Sequence, residues 1–80
     1  MNITVLFFGI TTDLVGENSI SYSVENDTTI ENLKELLKAE YPNLKNIDDF
    51  AVAVNEEYAT NEFVLNGNDV VAIIPPVSGG

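Results

Sequence analysis

Eighty residues, 45% of them hydrophobic, make one small folded domain with a single modest core. Thirteen acidic residues stand against three lysines and no arginine, and the net charge of −10 argues against nucleic acid, or an anionic metabolite, as a ligand of this chain alone. The absence of cysteine and histidine excludes a disulfide, a thiolate nucleophile, a cysteine-based metal site and Ser-His or Cys-His catalysis.

Residues 2–8 read as a strand in which Ile3, Val5 and Phe7 point one way and Thr4, Leu6 and Phe8 the other. The first set belongs to the core. The second keeps Leu6 and Phe8, which is apolar for a solvated face and asks for a cover, from within the fold or from a partner. The start of the chain lacks the basic region and apolar run of a signal peptide, and no apolar run approaches the ~20 residues of a membrane span. A cytoplasmic location is expected. Gly9 ends the strand, and Asp13-Leu14-Val15 forms one helical turn closed by Gly16. Ile20, Tyr22 and Val24 alternate with Ser21, Ser23 and Glu25 in a half-buried strand, antiparallel to the first. Asn26-Asp27 turns the chain.

A helix follows, with Thr28 as N-cap and Glu31 completing a capping box. Ile30, Leu33, Leu36, Leu37 and Tyr41 make its core stripe, and Pro42 ends it. Residues 43–49 read as a polar loop. Phe50–Val54 is the third strand, Asn55-Glu56-Glu57 a turn, and residues 58–64 hold a further short strand. Asn66-Gly67-Asn68-Asp69 turns into the last strand, Val70–Ile74, which is apolar throughout and so belongs inside the sheet. The order β-β-α-β-β gives an α+β fold, one helix on one mixed sheet. If the first and last strands are neighbours, the apolar outer face of the first lies near the exit of the tail. Residues 1–74 form the domain and residues 75–80 an extended tail.

The tail reads Pro75-Pro76-Val77-Ser78-Gly79-Gly80. Proline offers no N–H to a sheet, so the pair ends the strand and continues stiffly. The two glycines leave only backbone around the carboxylate of Gly80. Six extended residues span on the order of 20 Å, enough to enter the active site of another protein. The plain alternative is a frayed end.

These residues resemble those of the sulfur-carrying small subunits of molybdopterin synthases, a ubiquitin-like β-grasp family. The resemblance covers essentially the whole chain. It is carried by Val5-Leu6-Phe7-Phe8, Leu14-Val15-Gly16, Thr29-Ile30-Glu31-Asn32-Leu33, Ala53-Val54-Asn55, Leu65 to Ala72 and, above all, Pro75 to Gly80. It implies a ubiquitin-like β-grasp fold. It also implies that the Gly80 carboxylate is adenylated with ATP by an activating enzyme resembling the ubiquitin E1. A sulfur donor protein then displaces AMP to leave a thiocarboxylate, and the sulfur passes to the cyclic pyranopterin monophosphate precursor in the large subunit of a heterotetrameric synthase. No cofactor or metal is expected on this chain, and Gly80 is a reactant rather than a catalyst. Gly79 supplies slim backbone for a narrow channel. Phe8, Tyr58 and Ile74 align with the family's partner-contacting apolar positions, and Pro75, Pro76, Val77 and Ser78 join them along the tail. Tyr58 stands where some relatives carry an aliphatic residue and Ile74 where they carry an aromatic. For all three, ordinary packing is the plain alternative.

Other readings stay open from the residues. The carrier could serve thiamine synthesis or tRNA thiolation. It could be a ubiquitin-like modifier joined to lysines through Gly80, or a non-covalent interaction module with a passive tail. An autonomous enzyme has the least support, because the adjacent acids Asp48-Asp49 and Glu56-Glu57 read as solvated turns.

Overall fold

The computed structural model describes residues 1–46 and 50–76, and its first strand sets the frame. In β1 (Asn2–Phe7) the residues Ile3, Val5 and Phe7 are buried on one side, as the alternation predicts. β2 (Ser19–Ser23) pairs with it antiparallel, in the register Ile3↔Tyr22 and Val5↔Ile20. The connection contains α1 (Ile10–Val15), longer than the single turn expected at residues 13–15. Two hydroxyls explain the earlier start. The Oγ1 of buried Thr11 accepts from the Phe8 N–H and donates to the Phe8 carbonyl, and Thr12 Oγ1 donates to the Phe7 carbonyl at 3.0 Å. The backbone leaving the strand is thus satisfied as soon as it turns. Gly16 closes α1 in the left-handed region, its N–H donating to the Thr12 carbonyl.

The main helix, α2 (Ile30–Glu40), begins one residue later than the capping-box reading places it. Thr29 is the N-cap, its Oγ1 accepting from the Asn32 N–H, while the Thr28 hydroxyl donates to the Glu25 carbonyl. Thr28 is also held from the other side, since the Leu65 N–H donates to its carbonyl. The remaining free N–H groups at the helix start, those of Ile30 and Glu31, donate to the carbonyls of Phe63 and Asn61. That pairing corrects a second expectation. Residues 58–64 do not form a strand of their own. β4 is only Glu57–Tyr58, and the segment after it serves the helix start, with a single bridge from Val64 to Thr29. Ile30, Leu33 and Leu37 are fully buried, and Tyr41 meets Phe7 edge-on at 6.1 Å. Leu36 departs from the expected stripe and is 42% exposed.

After α2, the part of the expected polar loop that is described forms a 3-10 turn, Pro42–Asn46, and its Leu44 is fully buried. Residues 47–49, Asp48-Asp49 included, lie outside the described residues. β3 (Ala51–Val54) and β4 are joined by Asn55 and Glu56, both at positive φ (51° and 75°), the geometry of a two-residue hairpin loop. β5 (Val70–Ile74) completes the sheet in the order β2-β1-β5-β3-β4. It runs parallel to β1 and antiparallel to β3, so the most apolar strand has a neighbour on each side. Its entry is fixed by a small polar network. Asn55 Oδ1 accepts from the Val70 N–H, Asn55 Nδ2 donates to Asp69 Oδ1, and Asp69 Oδ2 accepts from the Asn66 N–H. Asp69 is buried with these partners, so the Asn-Gly-Asn-Asp turn does more than reverse the chain and seats β5 in register. The core lies between α2 and the inner face of the sheet, around Val5, Phe7, Leu33, Leu37, Val71 and Ile73.

Candidate functional site

The opposite face of the sheet follows from the register. Leu6 lies beside Ala72, Ala72 beside Ala53, Ile74 beside Ala51, and Ala53 beside Tyr58. Carrying the pair Phe7↔Ile73 one residue further places Phe8 next to Ile74. This end of the outer face is therefore apolar across four strands, whereas β2 adds serines to the same face opposite Thr4 and Leu6. The helix covers the other face. Phe8 is left 49% exposed and Tyr58 76% exposed, and Ile74 is half-buried.

The tail leaves from the middle of this surface. Ile74, Pro75 and Pro76 line an open groove with Tyr58, Phe50 and Ala51. The groove's far wall carries Lys34, whose ammonium lies 5.7 Å from the centre of the Phe50 ring, with that of Lys38 at 5.8 Å. Lys34 thus lines the groove at the base of the tail, and Lys38 approaches the same Phe50 ring. Pro75 is half-buried and sits against Gly9, where an added Cβ would come within 3.1 Å of Pro75 Cγ. Gly9 also holds a φ of +55°, so both its conformation and its missing side chain serve the strand end and the tail base together.

The structure places Phe8, Ile74 and Tyr58 on one face of the sheet and joins Tyr58, Ile74, Pro75 and Pro76 in one groove. Val77, Ser78, Gly79 and Gly80 lie outside the described residues. Gly9, Phe50 and Lys34 are parts of the site that strand-by-strand reading missed. Only Gly9 left a sequence signal, as a glycine placed directly after an apolar strand, where a close backbone approach is a common reason for it. Among the described residues no group of three or more acids could hold a metal ion, and no helix is long and apolar enough to cross a membrane. Among the described residues lining the groove, the titratable side chains are Lys34 and Tyr58. The arrangement offers an apolar face continuous with Pro75 and Pro76 at the base of the tail.

The ThiS family matches residues 5–80. The chain belongs to that family. A relative from Caenorhabditis briggsae, a molybdopterin synthase sulfur carrier subunit, is 35% identical, over 100% of this chain and 99% of its own length. Small archaeal modifier protein 3 of Haloferax volcanii is 32% identical over the whole of both chains. Among solved structures, SAMP1 from Haloferax volcanii superposes with a TM-score of 0.87 over 100% of both chains, at 24% identity, a likeness of fold. A chain from the complex of subunits 1 and 2 of the molybdopterin-converting factor of Helicobacter pylori superposes with a TM-score of 0.70 at 27% identity, over 100% of both chains. The mixed sheet packed on one main helix is the ubiquitin-like β-grasp, as the resemblance implied.

Proposed function

We propose that this member of the ThiS family is the sulfur carrier of molybdenum cofactor synthesis, acting through the carboxylate of Gly80. The observation that carries the reading is the continuity of the apolar outer face with the base of a Pro-Pro-Val-Ser-Gly-Gly tail, in a chain whose relatives bear the carrier's name. A carboxylate is a poor electrophile, so it must first be activated. Its oxygen attacks the α-phosphorus of ATP in an E1-like enzyme, pyrophosphate leaves, and an acyl-adenylate forms. The outer sulfur of a persulfide on a donor protein then attacks the acyl carbon and AMP leaves, and a thiol cleaves the resulting acyl disulfide, releasing the donor in a new disulfide and leaving the thiocarboxylate. The large synthase subunit binds the outer face around Phe8, Tyr58 and Ile74 and takes Val77 to Gly80 into its active site. Held there, the thiocarboxylate reacts with the cyclic pyranopterin monophosphate precursor as an effectively unimolecular partner. Acid–base and phosphate-binding groups come from the large subunit, since this chain has neither histidine nor arginine.

The test is the intact mass of the protein after incubation with ATP and a sulfur source in extract of its own cells. A gain matching one oxygen replaced by sulfur, located at Gly80, is expected. A variant lacking Gly80 is expected to fold normally and to lose sulfur transfer completely; full activity in that variant refutes the proposal. The full-length similarity to a small archaeal modifier protein supports a second reading, attachment to lysines through the same activated Gly80. Recovery of the protein linked to lysines, with no sulfur gain, favours that one.

A further inference from the structure

Away from the tail, β2 ends the sheet, and no strand among the described residues lies beyond it. Its hydrogen bonds define which backbone groups are used. Val24 exchanges bonds with Met1, its N–H donating to the Met1 carbonyl and its carbonyl accepting from the terminal ammonium, and the Phe7 N–H donates to the Asn18 carbonyl. In an antiparallel pair the inward-bonding residues alternate, so Tyr22 and Ile20 also turn their backbone to β1. The N–H and C=O groups of Ser19, Ser21 and Ser23 then point outward along a free edge. Edge strands are commonly guarded by lysine, proline, a bulge or shortness. β2 has none of these: its five residues pair in unbroken register, and three are exposed serines.

Beside this edge, toward α2, runs a groove lined by Tyr22, Val24, Asn32, Leu36, Glu25 and Glu35. Its apolar part includes the exposed Leu36 that left the core stripe. Its rim is anionic, and Glu40 adds to the field felt by the Tyr22 hydroxyl. No lysine lines it, because Lys34 and Lys38 turn to Phe50 on the other flank of the helix.

We propose that the β2 edge and this groove bind an extended segment of a partner protein, added as a sixth strand, with apolar side chains over Tyr22 and Leu36 and lysine or arginine beside Glu25 and Glu35. Main-chain bonds to Ser19, Ser21 and Ser23 give the affinity, and the groove reads alternate side chains. A second copy of this chain is a poor occupant, because its own edge carries serines and no basic side chain to set against the anionic rim. The surface is separate from the outer face at the tail, so a basic partner can hold the protein while Gly80 is engaged elsewhere.

The probe is a peptide of about seven residues alternating valine with lysine, long enough to pair with one strand. It is titrated into the full chain while backbone amide resonances are followed. Shifts are expected at Ser19, Ser21, Ser23, Tyr22 and Leu36, and the double variant Glu25→Lys/Glu35→Lys is expected to weaken binding about tenfold or more. Ser21→Pro, which removes an outward N–H, is expected to abolish it while leaving the far strands unshifted. The proposal is overturned by an absence of shifts, by shifts confined to Phe8 and Ile74, by equal binding of a valine–glutamate peptide, or by concentration-dependent self-association through the same edge.

Discussion

Phe7 and Phe8 are consecutive and chemically identical, yet they have opposite surroundings. Phe7 is 3% exposed, packed against Tyr41 and the α2 core, while Phe8, on the other side of the sheet, is 49% exposed beside the tail exit. The two-residue period of the strand produces this separation, since successive side chains project to opposite faces. One face stabilises the domain. The other is spare apolar surface, and on a monomer such surface is costly to keep unless something docks on it. Residue type therefore cannot assign a role in this strand, and position in the alternation can.

The pair can be broken from either side. Phe7→Ala removes a buried ring from an 80-residue domain and is expected to cost about 3–5 kcal/mol. Small domains carry only ~5–15 kcal/mol in total, so the variant should melt far below the parent, and an unchanged melting temperature would contradict the packing. Phe8→Asp is expected to alter stability by less than about 0.5 kcal/mol. The same change should weaken binding to the large synthase subunit by ~2 kcal/mol or more, read by calorimetric titration. If Phe8→Asp unfolds instead, Phe8 belongs to the core and the two faces are not divided as described.

Gly9 lies where the two roles meet. Alanine there has to hold a φ of +55° and place its Cβ within 3.1 Å of Pro75 Cγ. With ψ at −136° this conformation lies outside the left-handed helical region, and a loss of about 1–3 kcal/mol is expected from the backbone alone. The contact should in addition displace the base of the tail, so that sulfur transfer falls more than stability does. Equal, small losses in both would reduce Gly9 to an ordinary turn residue.

Much of the fold could be read from the sequence because its strongest signals are local. The alternation of β1, the unbroken apolar run of β5 and the stripe of Ile30, Leu33 and Leu37 each report their own burial. Several of the failures are cases where a distant segment decides, whereas the early start of α1 is set locally by the Thr11 and Thr12 hydroxyls. Thr28 and Thr29 are equally good caps by type, and the choice between them falls to the Leu65 N–H, which holds the Thr28 carbonyl. Residues 58–64 contain β-formers, but the carbonyls of Asn61 and Phe63 are used by the start of α2. Leu44 sits in a polar stretch and is buried by the turn that follows Tyr41. At the site, resemblance points to Phe8, Tyr58 and Ile74, and strand register explains why they share one face. Lys34 and Phe50 had no such cue, since their approach to the tail exists only once helix and sheet are packed.

Tyr22 gives the finest comparison, because it shares the inner face with Phe7 but sits on the edge strand, half-buried. Partial burial raises its pKa above the ordinary 10.0, and the nearby Glu40 carboxylate and then Tyr41 raise it further. The sign follows from proton counting. As pH climbs past about 10 the unfolded chain releases the Tyr22 proton while the folded chain still holds it, so the unfolded state binds fewer protons and stability falls. The fall begins near the unfolded value and ends once pH exceeds the raised folded value; below that window the contribution is fully present. Tyr22→Phe should therefore leave stability near neutral pH almost unchanged and flatten the loss that sets in above the ordinary tyrosine value, read as urea midpoints on either side of it. Solvent still reaches the ring, so the difference should be small beside the effect of Phe7→Ala. Parallel pH curves for parent and variant would show that the edge strand exposes Tyr22 as fully as the outer face exposes Phe8.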